Sequence, residues 1–309
     1  MKSISRLLLS GVFLVLNGSA SAAEEAQLKL QKVVDDVYAI VGSLGNRSPE
    51  NLGNNATFGF VVTPQGVVLI DPGGTYKGAS RIHELIKTVT DMPVKYVINT
   101  GGQDHRWLGN DYFGRQGASI IASRAAVEYQ KESLNDILLR LSNTAGDAAV
   151  EGTRESYANI QFDESYEFTF GDVRFHITTG GVAHSPGDSW VWLPYERVVF
   201  SGDIIYVERM LAVSSTSNSE AWLAAFEAME ALDPQYVVPG HGAPTTIDAA
   251  RAATYDYLTS LRTAVAEFIE AGGEIYDLHK IDQSRFSHLL NFEQLQGRNA
   301  QQVFQEMEW

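Results

Sequence analysis

The stretch GFVVTPQGVVLIDPGG, residues 59–74, contains two apolar runs joined by a short polar turn. Pro64 and Gly66 occupy the second and fourth positions of that turn, where proline and glycine are favoured. The runs on both sides are rich in valine, a strong strand former. The stretch therefore predicts a β-hairpin that leads into a glycine-rich loop, with Asp71 as the first polar residue after the second strand.

Strand and helix patterns alternate along the rest of the chain. After a polar lead-in at 23–30, strands are predicted at 37–41, 94–98, 119–122, 168–170, 173–177, 189–193, 198–201 and 236–238, and helices at 80–90, 125–141, 219–232, 249–271 and about 299–307. The second half repeats the order of the first. Each half can form a sheet covered by helices on one face, which is an α+β architecture.

The N-terminus has the pattern of a secretory signal peptide. Two basic residues precede an apolar run at 7–16, and small residues follow at 20–22. Residues 1–22 are therefore predicted to be removed after Ala22, so that 23–309 forms one domain with a C-terminal helical extension, in the periplasm or outside the cell. The apolar run is shorter than the roughly 20 residues that cross a bilayer, so no stable membrane anchor is expected.

The net charge and the lack of cysteine exclude some classes of partner and of metal ligand. The 309 residues include 38 acidic and 23 basic side chains, a formal net charge of −15. Such a surface repels nucleic acid, so the expected partner is a small-molecule substrate. The chain has no cysteine. A metal site would therefore use nitrogen and oxygen ligands from histidine and carboxylate side chains.

Polar residues able to bind a metal follow several of the predicted strands, where a rigid scaffold can present them to a ligand. Asp71 follows the hairpin; Gln103, Asp104, His105 and Arg106 lie in VINTGGQDHRWLGN (97–110); His184 and Asp188 lie in GGVAHSPGDSW (180–190); Asp203 ends VFSGD (199–203); and His241 lies in VVPGHG (237–242).

In this order and spacing, the motifs resemble those of the metallo-β-lactamase superfamily over nearly the whole chain after the signal peptide. The resemblance implies a four-layer αββα sandwich. It also implies a metal-dependent hydrolase that cleaves an ester, thioester, amide or lactam. Fold analogy does not choose among these bonds.

The first metal motif departs from the family pattern, which is T-H-x-H-x-D-H followed by two residues and Gly-Asn. The flanking threonine and Gly-Asn are retained without a gap. In that register Gly101 and Gln103 replace two histidines. His105 then takes the aspartate position and Arg106 the last histidine position. An alternative register with a one-residue insertion places Asp104 and His105 on the Asp-His pair.

The altered motif implies one metal ion or none, but not two. The first family position has lost most of its histidines. The second position would be formed by His105, Asp203 and His241, and His184 would complete it or contact the substrate. One divalent ion is expected, namely zinc, with iron as the alternative because two histidines and a carboxylate also suit iron(II).

Other residues of these loops are expected to support the reaction. Asp203 or Asp104 would accept a proton from water. Arg106 would either neutralise anionic charge on the substrate or form a salt bridge. The resemblance implies that Asp71 orients the metal loops through hydrogen bonds. Gln103 is expected to be a hydrogen-bonding partner rather than a ligand.

Two alternatives to the hydrolase stay open at this point. Loss of two motif histidines is compatible with an exported binding protein that uses the cleft without turnover. An iron-bound site would be compatible with redox chemistry. In each case Tyr206, Glu208 and Arg209, which follow Asp203 closely, are expected to line the pocket.

Overall fold

The computed structural model describes residues 27–308 of the chain. The predicted signal peptide, residues 1–22, lies outside the described residues, so its cleavage stays a prediction. Within the described part of the chain, no helix combines the length and the apolar character needed to cross a membrane.

Seven strands form the first sheet in chain order. They are β1 (Lys29–Val34), β2 (Val37–Val41), β3 (Thr57–Thr63), β4 (Gly66–Ile70), β5 (Val94–Ile98), β6 (Ser119–Ser123) and β7 (Ile160–Phe162). Strands β1 to β4 are antiparallel, and β3 and β4 form the predicted hairpin with Thr63 opposite Gly66. Strands β4 to β7 pair in parallel. The lead-in predicted at 23–30 is wrong from Lys29 onward, because β1 is a half-buried edge strand with weak apolar alternation.

Five strands form the second sheet, in the order β12-β11-β10-β9-β8. They are β8 (Ser165–Phe170), β9 (Val173–Val182), β10 (Pro186–Leu193), β11 (Val198–Phe200) and β12 (Tyr236–Val238). Pairing between β9 and β10 continues to Val182 opposite Pro186, beyond the strands predicted there. The tight connection between them holds His184 at the end of the hairpin.

Nine α-helices lie in the described chain, besides short 3-10 and π-helical segments. They are α1 (Tyr76–Lys87), α2 (Asp104–Trp107), α3 (Asn110–Gly114), α4 (Arg124–Ala145), α5 (Asp147–Val150), α6 (Ser219–Glu230), α7 (Ile247–Ala250), α8 (Asp256–Glu270) and α9 (Phe292–Glu308). Helix α1 begins before its predicted start because Thr75 caps it, its side chain accepting a hydrogen bond from the Gly78 backbone N–H. Helix α9 also begins earlier than predicted, at Phe292.

The two sheets pack face to face. Buried apolar side chains from both fill the space between them, including Val68 and Ile98 from the first sheet and Phe175 and Phe200 from the second. Helices α1, α3 and α4 pack on the outer face of the first sheet. Helices α6, α8 and α9 pack on the outer face of the second. This arrangement has four layers and confirms the αββα fold inferred from the resemblance.

The motif loops leave the sheets at a common edge. Asp71 follows β4, helix α2 follows β5, Asp203 follows β11 and His241 follows β12. Parallel neighbours end at the same edge of a sheet, so the loops after β4 and β5 meet, as do those after β11 and β12. Side chains that lie far apart in the sequence therefore come together at this edge.

Candidate metal centre

Three of the predicted ligands meet at one point. His105, Asp203 and His241 each offer a ligand atom, and these atoms lie within 4.8 Å of one another. Nε2 of His105 and Nε2 of His241 each lie 3.2 Å from a carboxylate oxygen of Asp203. Ligand atoms about 2.1 Å from a tetrahedral zinc ion are roughly 3.4 Å apart. The spacing therefore fits shared coordination of one ion.

His184 lies beside this group at a greater distance. Its Nδ1 is 3.9 Å from Asp203 Oδ2 and has no hydrogen-bond partner within residues 27–308. Burial lowers the pKa of His184 to about 4 and holds that of His241 well below its ordinary value. Both rings are therefore neutral at pH 7, which is the form that binds metals. The donor set fits a divalent cation.

Tyr206 fixes the plane of one ligand ring. Its ring stacks on His241 with centroids 4.5 Å apart and planes 20° apart. A backbone bridge joins the same two residues, and Val207 N–H donates to the His241 carbonyl. The segment that follows Asp203 therefore holds His241 in place.

Arg47 supports His105 from behind, and no sequence motif singled it out. Its guanidinium forms an ion pair with both carboxylate oxygens of Asp104 and lies 3.0 Å from His105 Nδ1. It also donates to Gln103 Oε1 at 3.5 Å, which gives Gln103 the hydrogen-bonding role expected of it. Its place in the chain could have indicated a role at the site. Arg47 lies in the polar loop at 42–56, which follows β2 just as the other site loops follow their strands.

Asp104 faces Arg47 and the rear nitrogen of His105. Its Oδ1 lies 3.2 Å from His105 Nδ1, an arrangement that orients metal-binding histidines. Burial acts to raise the pKa of Asp104, but Arg47 holds it well below its ordinary value. So weak a base suits orientation better than the proton transfer expected for it. His105, not Asp104, faces Asp203 and His241, as the ungapped register requires.

Arg106 lies fully buried between two carboxylates. Nη1 donates to Asp71 Oδ2 at 2.8 Å and Nη2 donates to Asp203 Oδ1 at 2.7 Å. The carbonyls of Thr57 and Gly240 accept further hydrogen bonds at 3.0 and 2.9 Å. Of the two roles expected for Arg106, the salt bridge is the one that the structure shows. Burial acts to raise the pKa of Asp203, but this guanidinium, with His105, holds it well below its ordinary value.

Asp71 joins the loop after β4 to the loop after β5. It accepts hydrogen bonds from Thr100 N–H at 2.8 Å and from Thr100 Oγ1 at 2.7 Å, besides that from Arg106. Its φ of 62° is in the left-handed region, which is uncommon outside glycine and typical of functional sites. Asp71 therefore lies in the orienting position that the resemblance implies.

The space beside Gly101, which takes the place of a family histidine in the ungapped register, is filled by another side chain. A Cβ atom at Gly101 would lie 2.9 Å from Asp188 Oδ1. Asp188 is buried and accepts hydrogen bonds from Ser185 N–H at 2.6 Å and Ser185 Oγ at 2.7 Å. Within the described chain, His105, Asp203 and His241 form the one cluster of metal-binding side chains.

We expect the Asp188→Asn variant to be more stable than the parent at high pH. Burial, reinforced by the charge of Asp203, raises the pKa of Asp188 to about 8. The folded state therefore keeps this proton to a higher pH than the unfolded chain, and stability falls as pH rises from about 4 to about 8. Asparagine carries no charge and can still bond to Ser185. Chemical unfolding should show the free energy of unfolding of the variant rising by roughly 4 kcal/mol relative to the parent between pH 5 and pH 9.

The control for that prediction is Asp163→Asn, which removes a carboxylate that is 75% exposed. The difference in free energy of unfolding between Asp163→Asn and the parent should stay constant over the same pH range. A pH-independent effect of Asp188→Asn would contradict the assignment of a buried, protonated carboxyl group.

A cavity of about 340 Å³ opens beside the ligands. His105, His184 and His241 line it, and so do Tyr206 and Arg209, as expected. Glu208, also expected there, instead accepts a hydrogen bond from the Ala243 backbone N–H at 3.2 Å. A larger cavity of about 620 Å³ lies among the hairpin turns at the opposite edge and holds none of the ligand residues. The candidate metal ligands therefore open onto the smaller cavity.

Solved structures share this fold. A metallo-beta-lactamase from Pontibacter korlensis superposes with a TM-score of 0.62 at 19% identity, covering 75% of this chain and 99% of that one. The stereoselective inverting sec-alkylsulfatase Pisa1 from Pseudomonas sp. gives a TM-score of 0.70 at 15% identity, covering 92% of this chain. This chain spans only 51% of that alkylsulfatase.

Sequence comparisons agree with the fold. The type 2 metallo-beta-lactamase of Elizabethkingia meningoseptica is 25% identical over 228 residues, which cover 72% of this chain and 82% of that protein. The family model of the metallo-beta-lactamase superfamily matches residues 53–241, more than half of the chain and the whole span from Asp71 to His241. With the four-layer fold and the strand-end loops already described, this match shows that the chain belongs to the metallo-β-lactamase superfamily.

Proposed function

We propose that the protein is a hydrolase that uses a single divalent metal ion to cleave an ester, thioester, amide or lactam bond in a small molecule. Zinc is the proposed ion, with iron as the alternative. Export to the periplasm or beyond is part of the proposal. The observation that carries it is the convergence of His105, Asp203 and His241 within 4.8 Å, beside the unpartnered Nδ1 of His184.

His105, Asp203 and His241 would hold the ion, and His184 would add a fourth nitrogen or contact the substrate. When bound, a divalent ion supplies Lewis-acid polarisation of the scissile group and makes a hydroxide nucleophile available near pH 7. Asp203 offers a carboxylate oxygen for the water proton. Because its pKa is well below the ordinary value, Asp203 is a weak base, and it would contribute to proton transfer mainly through its position beside the bound water.

The surrounding side chains orient the candidate ligands through hydrogen bonds and ion pairs. Arg106 keeps Asp203 ionised, and Asp71 holds Arg106 through the opposite side of the guanidinium. Asp104 would fix the orientation of the His105 ring by accepting from Nδ1–H, and Arg47 holds Asp104 in place. A preorganised site of this kind lowers the reorganisation needed during the reaction.

One observation favours the second candidate, a binding protein without turnover. Arg106 already neutralises Asp203 at 2.7 Å, and Asp188 occupies the space beside Gly101. A site whose carboxylate is neutralised by the chain itself needs an added cation less. This candidate predicts purified protein without metal and without turnover.

Metal analysis of matched variants separates the two candidates. We expect the mature protein to contain about one equivalent of metal by elemental analysis and to hydrolyse nitrocefin or a thioester until a chelator is added. His105→Ala should lose the metal. Asp104→Asn should bind it about 10–100-fold more weakly, because it loses an orienting carboxylate and not a ligand.

His288→Ala, which removes an exposed histidine, is the control and should behave as the parent. A parent without metal or turnover would leave the binding protein as the function. Equal and complete metal loss in the Asp104 and His105 variants would contradict the ungapped register. Bound iron with no hydrolysis would favour redox chemistry.

A further inference from the structure

Four arginines line the cavity beside the metal ligands. They are Arg47, Arg140, Arg209 and Arg298, and none of the described residues that line this cavity is a carboxylate. The chain as a whole carries 38 acidic and 23 basic side chains. A cationic cavity in a protein of net charge −15 is therefore a local reversal of the overall charge, and it attracts anions into the cleft.

Only one of these four charges is neutralised by the chain within the described residues. Arg47 is paired with Asp104. Arg140, Arg209 and Arg298 form no ion pair within residues 27–308. Three positive charges thus remain available in one cavity, although the described chain holds many carboxylates that could have paired with them.

Arg209 is a buried cation whose hydrogen-bonding groups are only partly satisfied by the described chain. The residue is only 8% exposed, its Nη1 donates to the Gly45 carbonyl at 3.2 Å, and its Nε has no hydrogen-bond partner among the described residues. Burial lowers the pKa of Arg209, so holding this charge in the cavity wall costs free energy. A ligand oxyanion would satisfy both the charge and the free N–H.

The other two arginines reach the same cavity from opposite sides of the fold. Arg140 belongs to α4, which packs on the first sheet, and Arg298 belongs to α9, which packs on the second. Both are exposed, whereas Arg209 is buried close to Tyr206, whose ring stacks on His241. The cationic lining therefore extends from the solvent to the metal ligands.

We infer that the substrate is a compact anion whose carboxylate, phosphate or sulfate group is bound by Arg209, Arg140 and Arg298. This inference rests on the proposed function, since it places the hydrolysable bond of the same molecule beside the metal ligands. Guanidinium groups bind planar or tetrahedral oxyanions through paired N–H donors. A cavity of about 340 Å³ is at the small end of ligand sites, which limits the substrate to a small molecule.

Calorimetric titration tests the inference without turnover. Succinate, inorganic phosphate and sulfate are each titrated into the mature full-length protein at constant ionic strength, with neutral succinamide as the matched probe. We expect saturable binding of at least one anion and none of succinamide, and the anion that binds tightest identifies the recognised group. Arg298→Gln and Arg140→Gln should each weaken binding about three- to tenfold, and Arg209→Gln should abolish it.

Arg174→Gln removes an arginine that pairs with Glu167 on the surface and serves as the control for lost charge. It should leave the affinity unchanged. If Arg209→Gln does not fold, the two exposed arginines decide the question. No saturable anion binding, or full affinity in both the Arg140 and Arg298 variants, or equal weakening by Arg174→Gln, would overturn the inference.

The outcome is separable from that of the proposed function. Chelator-sensitive hydrolysis of neutral esters without anion binding would overturn the anionic substrate and keep the hydrolase. Arginine-dependent anion binding by a protein with no metal and no turnover would keep the anion site and overturn the hydrolase.

Discussion

The Asp203→Ala variant is expected to lose metal binding and hydrolysis together and to be less stable by about 3–5 kcal/mol. Asp203 is buried and bonds to His105, His241 and Arg106. Its removal leaves a buried guanidinium with one carboxylate in place of two. The kcat/KM should fall about 10⁴-fold or more, as when a principal catalytic group is removed.

Three measurements check this expectation, namely metal content, steady-state kinetics and chemical unfolding. Asp163→Asn is again the control, because it removes an exposed carboxylate of the same type. Since the pKa of Asp203 is well below its ordinary value in the folded state, its stabilising contribution is present above about pH 4 and is lost as pH falls further. Wild-type metal content in Asp203→Ala would rule out Asp203 as a ligand.

The Arg106→Gln variant is expected to lose stability but keep its metal. Glutamine cannot reach Asp71 and Asp203 at once, so two buried carboxylates lose their counter-charge, at a cost of about 3–5 kcal/mol. The same change leaves Asp203 more negative towards a cation. Metal affinity should therefore be equal to or tighter than that of the parent when both proteins are folded.

Unfolding with and without added zinc, together with a competition titration for the metal, measures both effects. Arg115→Gln, which removes an exposed arginine paired with Asp111, should leave stability within about 0.5 kcal/mol of the parent. Loss of metal from folded Arg106→Gln would contradict a purely structural role for Arg106. The Asp203 and Arg106 variants thus separate the metal ligand from the structural cation that supports it.

Sequence patterns predicted most of the strands and loops that hold the candidate site residues. The hairpin around Pro64 and Gly66 has the expected register because proline and glycine restrict the turn locally. The proposed ligands follow strands whose apolar runs are easy to recognise. Their meeting at one edge follows from parallel pairing once the fold is known. The fold itself came from the resemblance, since alternation of strands and helices does not show how two sheets pack.

The parts that the sequence did not predict depend on contacts between distant segments. Nothing local to Gly101 indicates that Asp188 fills the neighbouring space. Arg47 carries no metal-binding group, so a pattern of metal ligands does not include the cation that supports them. Arg140 and Arg298 are exposed charges on helices and resemble ordinary surface residues until the fold brings them to one cavity.

The four hydrogen bonds of Arg106 connect the two halves of the fold. Thr57 and Asp71 belong to the first half of the fold, and Asp203 and Gly240 to the second. A guanidinium that is part of the chain thus joins the two halves at the edge where the motif loops meet. We therefore expect the two halves to pack together at this edge whether or not a metal ion is bound.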